Sequence, residues 1–176
     1  TFRRLFHNGR TRDGRALRMT LDSEQAHAAG TWCHGVAGYL WCVLHAFGDD
    51  PALRREIDWA VSAVHDSMAA GTPTYCHGLA GRLELWRMLG GIPRFQEFAF
   101  AQAGKTVRAL RLMHQKLRGK IAWCSDDPSI ITPDLWIGFL GPATALALHA
   151  AGRAEPLLSG QWLTTCASPL RSPVPR

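Results

Sequence analysis

Cys33-His34-Gly35 and Cys76-His77-Gly78 stand 43 residues apart in the same frame. The stretches around them read TWCHGVAG (31–38) and TYCHGLAG (74–81), an aromatic residue followed by Cys-His-Gly-x-Ala-Gly. Thiols and imidazoles are the ligands zinc prefers, at about 2.3 Å for sulfur and about 2.0–2.1 Å for nitrogen. Two equivalent cysteines and one histidine from such turns would give three protein ligands. The fourth position would then be left to water or substrate, which is the mark of a catalytic zinc. The glycines let backbone come close and turn sharply. A lone cysteine at such a place reads as a small buried hydrophobe, and a lone histidine as a packed polar group. Their duplication in register favours a shared ligand role.

The other thiols and imidazoles lack this frame. Cys42 falls within the helix after the first motif and is expected in the core. Cys124 follows Trp123 without His-Gly and reads as loop packing, with a surrogate ligand role as the alternative. Cys166, near the end, reads as structural or incidental. His45, His65, His114 and His149 fall inside helical patterns and read as packed or surface residues.

The motifs must be held by helices. Each Gly-x-Ala-Gly runs into an apolar segment that stops at glycine: YLWCVLHAF before Gly48, and RLELWRML before Gly90-Gly91. The first is apolar almost all round, the pattern of a buried helix. A second helix follows each, predicted over 51–70 and 93–118. Both open on a proline, where a missing N–H costs nothing. Leu53, Ile57, Ala60, Val61 and Val64 form one stripe of the first of these, so it is an outer helix. A degenerate third copy, PDLWIGFLGPATALALHAAG (133–152), keeps Gly138 and Gly141 in the spacing of Gly35/Gly38 and Gly78/Gly81. It has Trp136 in the cysteine slot and Ile137 in the histidine slot. Residues 120–133 read as a connecting loop, and no convincing strand or hairpin is visible. The expected fold is all-α, inner and outer helical hairpins stacked about an axis. Two pairs and a final inner helix are too few to close a ring, so a partner or further sequence should cover the open edges.

Composition sets the outer limits. The 176 residues are 47% apolar and 19% charged, a globular balance with one core. No apolar run approaches the ~20 residues of a membrane span, and no secretory signal is visible. Thr1 is not an initiator methionine, and a longer parent chain is expected. The net charge of +6 is uneven: residues 1–20 hold six arginines against Asp13. That excludes a uniformly basic nucleic-acid binder and leaves a basic segment at 1–29 that is solvated or meets an acidic partner. Five cysteines, an odd number spread through a chain without an export signal, point to a reducing compartment such as the cytoplasm.

These motifs resemble the lanthionine synthetase C-like family, which includes the cyclase domains of lanthipeptide synthetases. Trp32-Cys33-His34-Gly35 is similar to its first cysteine motif and Cys76-His77-Gly78 to its second. The segment 133–152 is similar to its last inner helix, of the form Pro-x-Leu-x-x-Gly-x-x-Gly. The resemblance covers 30–152. It implies an α/α toroid, here a partial barrel, with a cyclase domain at 30–169 and part of a preceding repeat within 1–29; the tail at 170–176 reads as disordered from its own residues. By carry-over the zinc ligands are Cys33, Cys76 and His77. The substrate it implies is a dehydrated precursor peptide with leader and core. Zinc removes the proton of a peptide thiol, the sulfur adds to dehydroalanine or dehydrobutyrine, and a thioether ring forms. The resulting enolate needs a proton from a general acid; His34 is the candidate, with loop orientation as its alternative role. Family toroids have about seven helical pairs, so this chain resembles the C-terminal part. The remainder of a synthetase, or another chain, is expected to complete it. The family also has a His and an Asp in earlier repeats. Neither His7 nor His27 sits in a His-Gly-x-x-Gly frame. Three readings stay open: the zinc half of a cyclase, a non-catalytic zinc module binding thiol peptides, and a metal-free helical scaffold.

Overall fold

The computed structural model describes residues 2–18, 30–67, 71–153 and 157. Among these, six helices run in chain order: α1 (Phe2–Gly9), α2 (Val36–Phe47), α3 (Arg54–Asp66), α4 (Leu79–Gly90), α5 (Gln96–Leu112) and α6 (Leu140–Ala150). One antiparallel hairpin, β1 (Gln115–Leu117) and β2 (Lys120–Ala122), lies between α5 and α6. The fold is therefore mostly helical, as expected. His27, Cys166 and the tail at 170–176 lie outside the described residues.

Helix starts follow local chemistry. Pro51 and Pro93 open single 3-10 turns that run into α3 and α5, where proline's fixed φ suits a first turn. The Asp50 carboxylate accepts the Ala52 N–H at 2.8 Å and caps the first of these. Glycines 35 and 78, in extended conformation, precede α2 and α4 directly. The motif turns are thus the last residues before their helices.

The central helix is α4, which packs on α5, α6 and α2, while α2 packs on α3. Leu83, Trp86 and Leu89 of α4 are wholly buried, and burial of a leucine side chain contributes about 1.5–3 kcal/mol. Three charged residues of α4 are buried as well, each with a partner. Arg82 Nε reaches the Gly30 carbonyl at 3.4 Å, Trp41 Nε1 donates to Glu84 Oε1 at 3.1 Å, and Arg87 Nε donates to the Arg153 carbonyl at 2.8 Å. The stripe Leu53, Ile57, Ala60, Val61, Val64 is buried as the spacing predicts.

Four expectations need correction. Helix α2 is not buried all round: Val36, Leu40, Val43 and Leu44 face inward, while His45, Ala46 and Phe47 are exposed. Cys42 is exposed with them and is no core residue, because it lies on the helix face opposite that inward stripe. The second outer helix stops at Leu112 rather than near 118. The chain then reverses through Arg118 and Gly119, both at positive φ. That is the primed hairpin geometry, reached here by Arg-Gly instead of the common Asn-Gly, so the signal was hidden. Finally, the basic segment is anchored at Phe6 and Arg10, while Arg12 and Arg15 are solvated as expected. Phe6 is buried, stacked on Tyr39 at 4.6 Å and edge-on to Trp59 at 5.0 Å. The Arg10 guanidinium lies 4.1 Å from the Trp59 ring centre.

The hairpin sets where the loop after it can reach. Trp123, at its end, is buried, and its Nε1 donates to the Leu110 carbonyl at 2.8 Å. This pins the exit of the hairpin against α5. The next residues form a loop closed by Ser125 N–H to the Ile130 carbonyl (2.7 Å) and Ile130 N–H to the Asp127 carbonyl (3.0 Å).

Candidate metal centre

The three motif copies occupy three equivalent turns, 32–34, 75–77 and 135–137, each just ahead of a helix. They are joined by backbone. Trp32 N–H donates to the Cys76 carbonyl at 2.7 Å, and Cys76 N–H donates to the Trp136 carbonyl at 2.8 Å. Copies two and three repeat each other in detail: Leu79 N–H to Thr72 and Phe139 N–H to Thr132 are both 2.9 Å. The glycines permit this closeness. A Cβ on Gly38 would overlap the Trp32 carbonyl oxygen, and one on Gly81 that of Tyr75.

The turns bring Cys33, Cys76 and His77 together. Cys33 Sγ, Cys76 Sγ and a ring nitrogen of His77 all lie within 4.8 Å of one another. His77 presents Nε2 to Cys33 Sγ at 3.1 Å. Ligands about 2.0–2.3 Å from a tetrahedral metal sit within about 4 Å of each other, so the 3.1 Å pair already has that spacing and the whole trio lies within about 1 Å of it. Cys33 is exposed and Cys76 half-buried. Burial, and then the neighbouring Cys33 thiol, push the Cys76 thiol up to about 12.

His34 Nδ1 lies 3.0 Å from Cys33 Sγ, at the rim and exposed. Cys124 is half-buried and takes no part in the cluster. His45 stacks on Trp41, His65 bonds Asp66 at 3.0 Å, and His114 bonds the Arg111 carbonyl at 2.5 Å. Trp136, in the cysteine slot of the third turn, joins Trp32 and Tyr75 in an aromatic cluster with ring centres 5.3–6.0 Å apart. Ile137, in the histidine slot, is exposed. The third turn therefore adds aromatic and apolar surface and no ligand. Asp134 holds it, accepting the N–H groups of Trp136 and Ile137, both at 2.7 Å.

Asp126 is a neighbour that sequence reading missed. Its Oδ2 is 2.5 Å from His77 Nδ1, and its Oδ1 accepts the Thr74 hydroxyl at 2.8 Å. Thr72 Oγ1 lies 3.0 Å from Thr74 Oγ1. Burial alone would raise this carboxyl, but hydrogen bonds from His77, Thr74 and Thr72 outweigh it and hold Asp126 below the usual carboxylate range. The residue sits in the segment expected to be a plain connecting loop. Its only sequence signal is the acidic pair in SDDPS.

A family model for lanthionine synthetase C-like proteins matches residues 3–90, half of the chain. The chain belongs to that family, whose function is of the lanthionine cyclase type. Both Cys-His-Gly turns lie inside the match, while the third turn and Asp126 lie outside it. No curated protein and no solved structure matched the chain. Among the described residues, no helix is long and apolar enough to cross a membrane.

Proposed function

We propose that this chain carries the zinc-binding part of a lanthipeptide cyclase, acting on a dehydrated precursor peptide. The observation that supports it best is the convergence of Cys33, Cys76 and His77 within 4.8 Å in a chain of this family. Cys33 and Cys76 would ligate as thiolates and His77 through Nε2. Zinc bound there would supply a fourth position at which a peptide thiol loses its proton at neutral pH. The turns do the positioning: bonded backbone to backbone, they fix the ligand atoms relative to one another before any metal arrives. In the addition, a carbon–sulfur bond forms at the β-carbon of the dehydro residue while its double-bond electrons move to the α-carbon and carbonyl. The α-carbon then takes a proton. His34, exposed at the rim beside Cys33, is assigned that donation. Trp136 and Ile137 give the peptide an apolar wall on the third side.

The same reading makes α2, α4 and α6 inner helices and α3 and α5 outer helices of an α/α toroid spanning 30–169, completed by further sequence or another chain. The exposed face of α2 fits an edge that such a neighbour covers. A reducing, cytoplasmic setting keeps Cys33 and Cys76 available as thiols.

The test measures zinc by mass spectrometry in the full chain and in Cys33→Ala and Cys76→Ala. A dehydrated peptide bearing one cysteine is then supplied, and ring closure is scored by loss of alkylatable thiol at unchanged mass. About one zinc per chain, absent from both variants, with ring closure, is the expected result. Zinc without ring closure would leave a thiol-binding module. No zinc in the wild type would overturn the proposal.

A further inference from the structure

We infer that Asp126 is a positioning residue that fixes the tautomer of His77, and that Thr74 holds it in place; the inference rests on Cys33, Cys76 and His77 being a metal site. The two motifs share the spacing Thr-x-x-His, Thr31 to His34 and Thr74 to His77. They nevertheless use their imidazoles differently. His34 turns Nδ1 toward Cys33 Sγ at 3.0 Å. His77 turns Nδ1 away, toward Asp126 Oδ2 at 2.5 Å, and offers Nε2 to the same sulfur at 3.1 Å.

An ionised carboxylate only accepts hydrogen bonds, so Nδ1 must carry the proton of the neutral ring. The lone pair then lies on Nε2, the atom aimed at the cluster. A ring in the opposite tautomer would point an N–H at the metal position and could not ligate. Asp126 is itself held: its other oxygen accepts from Thr74, which is wholly buried. One carboxylate thus spans the first residue and the histidine of the second motif. It arrives from the far end of the hairpin that Trp123 anchors. Metal-ligating histidines commonly rely on such a carboxylate, and its loss costs about 10–100-fold in metal affinity.

The test has two independent readouts on the full chain, wild type, Asp126→Ala, Asp126→Asn and Thr74→Val, with circular dichroism melts as the folding control. The first is the His77 tautomer in metal-free protein, from long-range proton–nitrogen correlations at a pH where the ring is neutral. The wild type should show Nδ1–H. Asp126→Ala should shift toward Nε2–H, and Asp126→Asn, whose amide oxygen still accepts, should retain Nδ1–H. The second is zinc affinity by competition with a chelator: about 10–100-fold weaker for Asp126→Ala, with partial recovery in Asp126→Asn. Thr74→Val should fall between wild type and Asp126→Ala. An unchanged tautomer in folded Asp126→Ala, or equal zinc affinity in all four, would overturn the inference. If the wild type binds no zinc, the metal-site reading fails and the tautomer measurement still decides the role of Asp126.

Discussion

Trp32 and Cys76 are bonded through their backbones, the Trp32 N–H donating to the Cys76 carbonyl at 2.7 Å. The residue before the first motif cysteine is thereby tied to the second motif cysteine itself. Neighbouring repeats do not merely pack side by side; their turns share a hydrogen bond at the place where the thiols meet. Such pairing requires each turn to lie flat against the start of its helix. That is where the second glycine of Gly-x-x-Gly acquires its constraint.

Gly81→Ala should therefore be costly. Its Cβ would overlap the Tyr75 carbonyl oxygen, which is backbone and cannot swing aside. A loss of about 1–3 kcal/mol in denaturant unfolding is expected. Gly104→Ala is the contrast. It lies within α5, where a Cβ would meet nothing closer than Arg108 Nη1 at 3.7 Å. Relief of helical glycine entropy should stabilise the protein there by about 0.5–1 kcal/mol. Equal effects at the two positions would show that the turn does not constrain Gly81.

Thiol labelling separates the cysteines. In metal-free protein Cys33 and Cys42, both exposed, should alkylate first. Cys76 should lag, because it is half-buried and its thiol is pushed up to about 12, leaving little thiolate at neutral pH. Added zinc should protect Cys33 and Cys76 together and leave Cys42 as reactive as before. Peptide mapping by mass spectrometry reads all three at once. Protection of Cys42 as well would indicate a general closing of the protein instead of ligation.

The convergence of Cys33, Cys76 and His77 was legible because a repeated frame states its own equivalence: Cys33 and Cys76 must occupy like places in like turns. The stripe of α3 was legible for the same kind of reason, a period matching the helix. Asp126 was not. It belongs to no repeat, and only the reversal at Arg118-Gly119, with Trp123 docking on α5, brings it to His77. The exposure of Cys42 was hidden for a different cause. Composition marks α2 as apolar, but what covers a helix is decided by its neighbours, not by its own residues. The buried Arg82, Glu84 and Arg87 of α4 show the converse, charged residues drawn inside because helices surround them on several sides.

Arg94 joins the two helical pairs. It lies 2.6–2.9 Å from the carboxylate oxygens of Asp49, before α3, and also bonds Asp58 within α3. The Arg94 hydrogen bonds hold the Asp49 carboxyl below its usual range. A lowered folded value means the stabilisation is present above the unfolded value, about 3.9, and is lost as pH falls through the folded one. Arg94→Met should cost no more than about 1 kcal/mol at neutral pH, as partly exposed pairs do. The difference from wild type should close as unfolding is tracked down below pH 4 or so. A difference that persists in acid would assign the effect to the packing of Arg94 on Phe95.

Glu84 titrates with the opposite sign. It is buried within α4, and burial raises its carboxyl above the usual range, against the hydrogen bonds that lower it. A raised folded value favours the protonated native state. The native state then gains relative to the unfolded chain below the unfolded value, near 4.3, and that advantage drains away as pH rises through the folded value. Glu84→Gln keeps an oxygen to accept from Trp41 Nε1 while removing the charge. Its stability should therefore match or exceed wild type at pH 7, and the gap should shrink toward pH 4, where the wild-type residue is neutral too. Denaturant midpoints across that range measure it. Destabilisation by Glu84→Gln at neutral pH would mean that the ionised carboxylate is held by its neighbours more strongly than burial opposes it, and that the charge inside α4 is part of what fixes this helix between its neighbours.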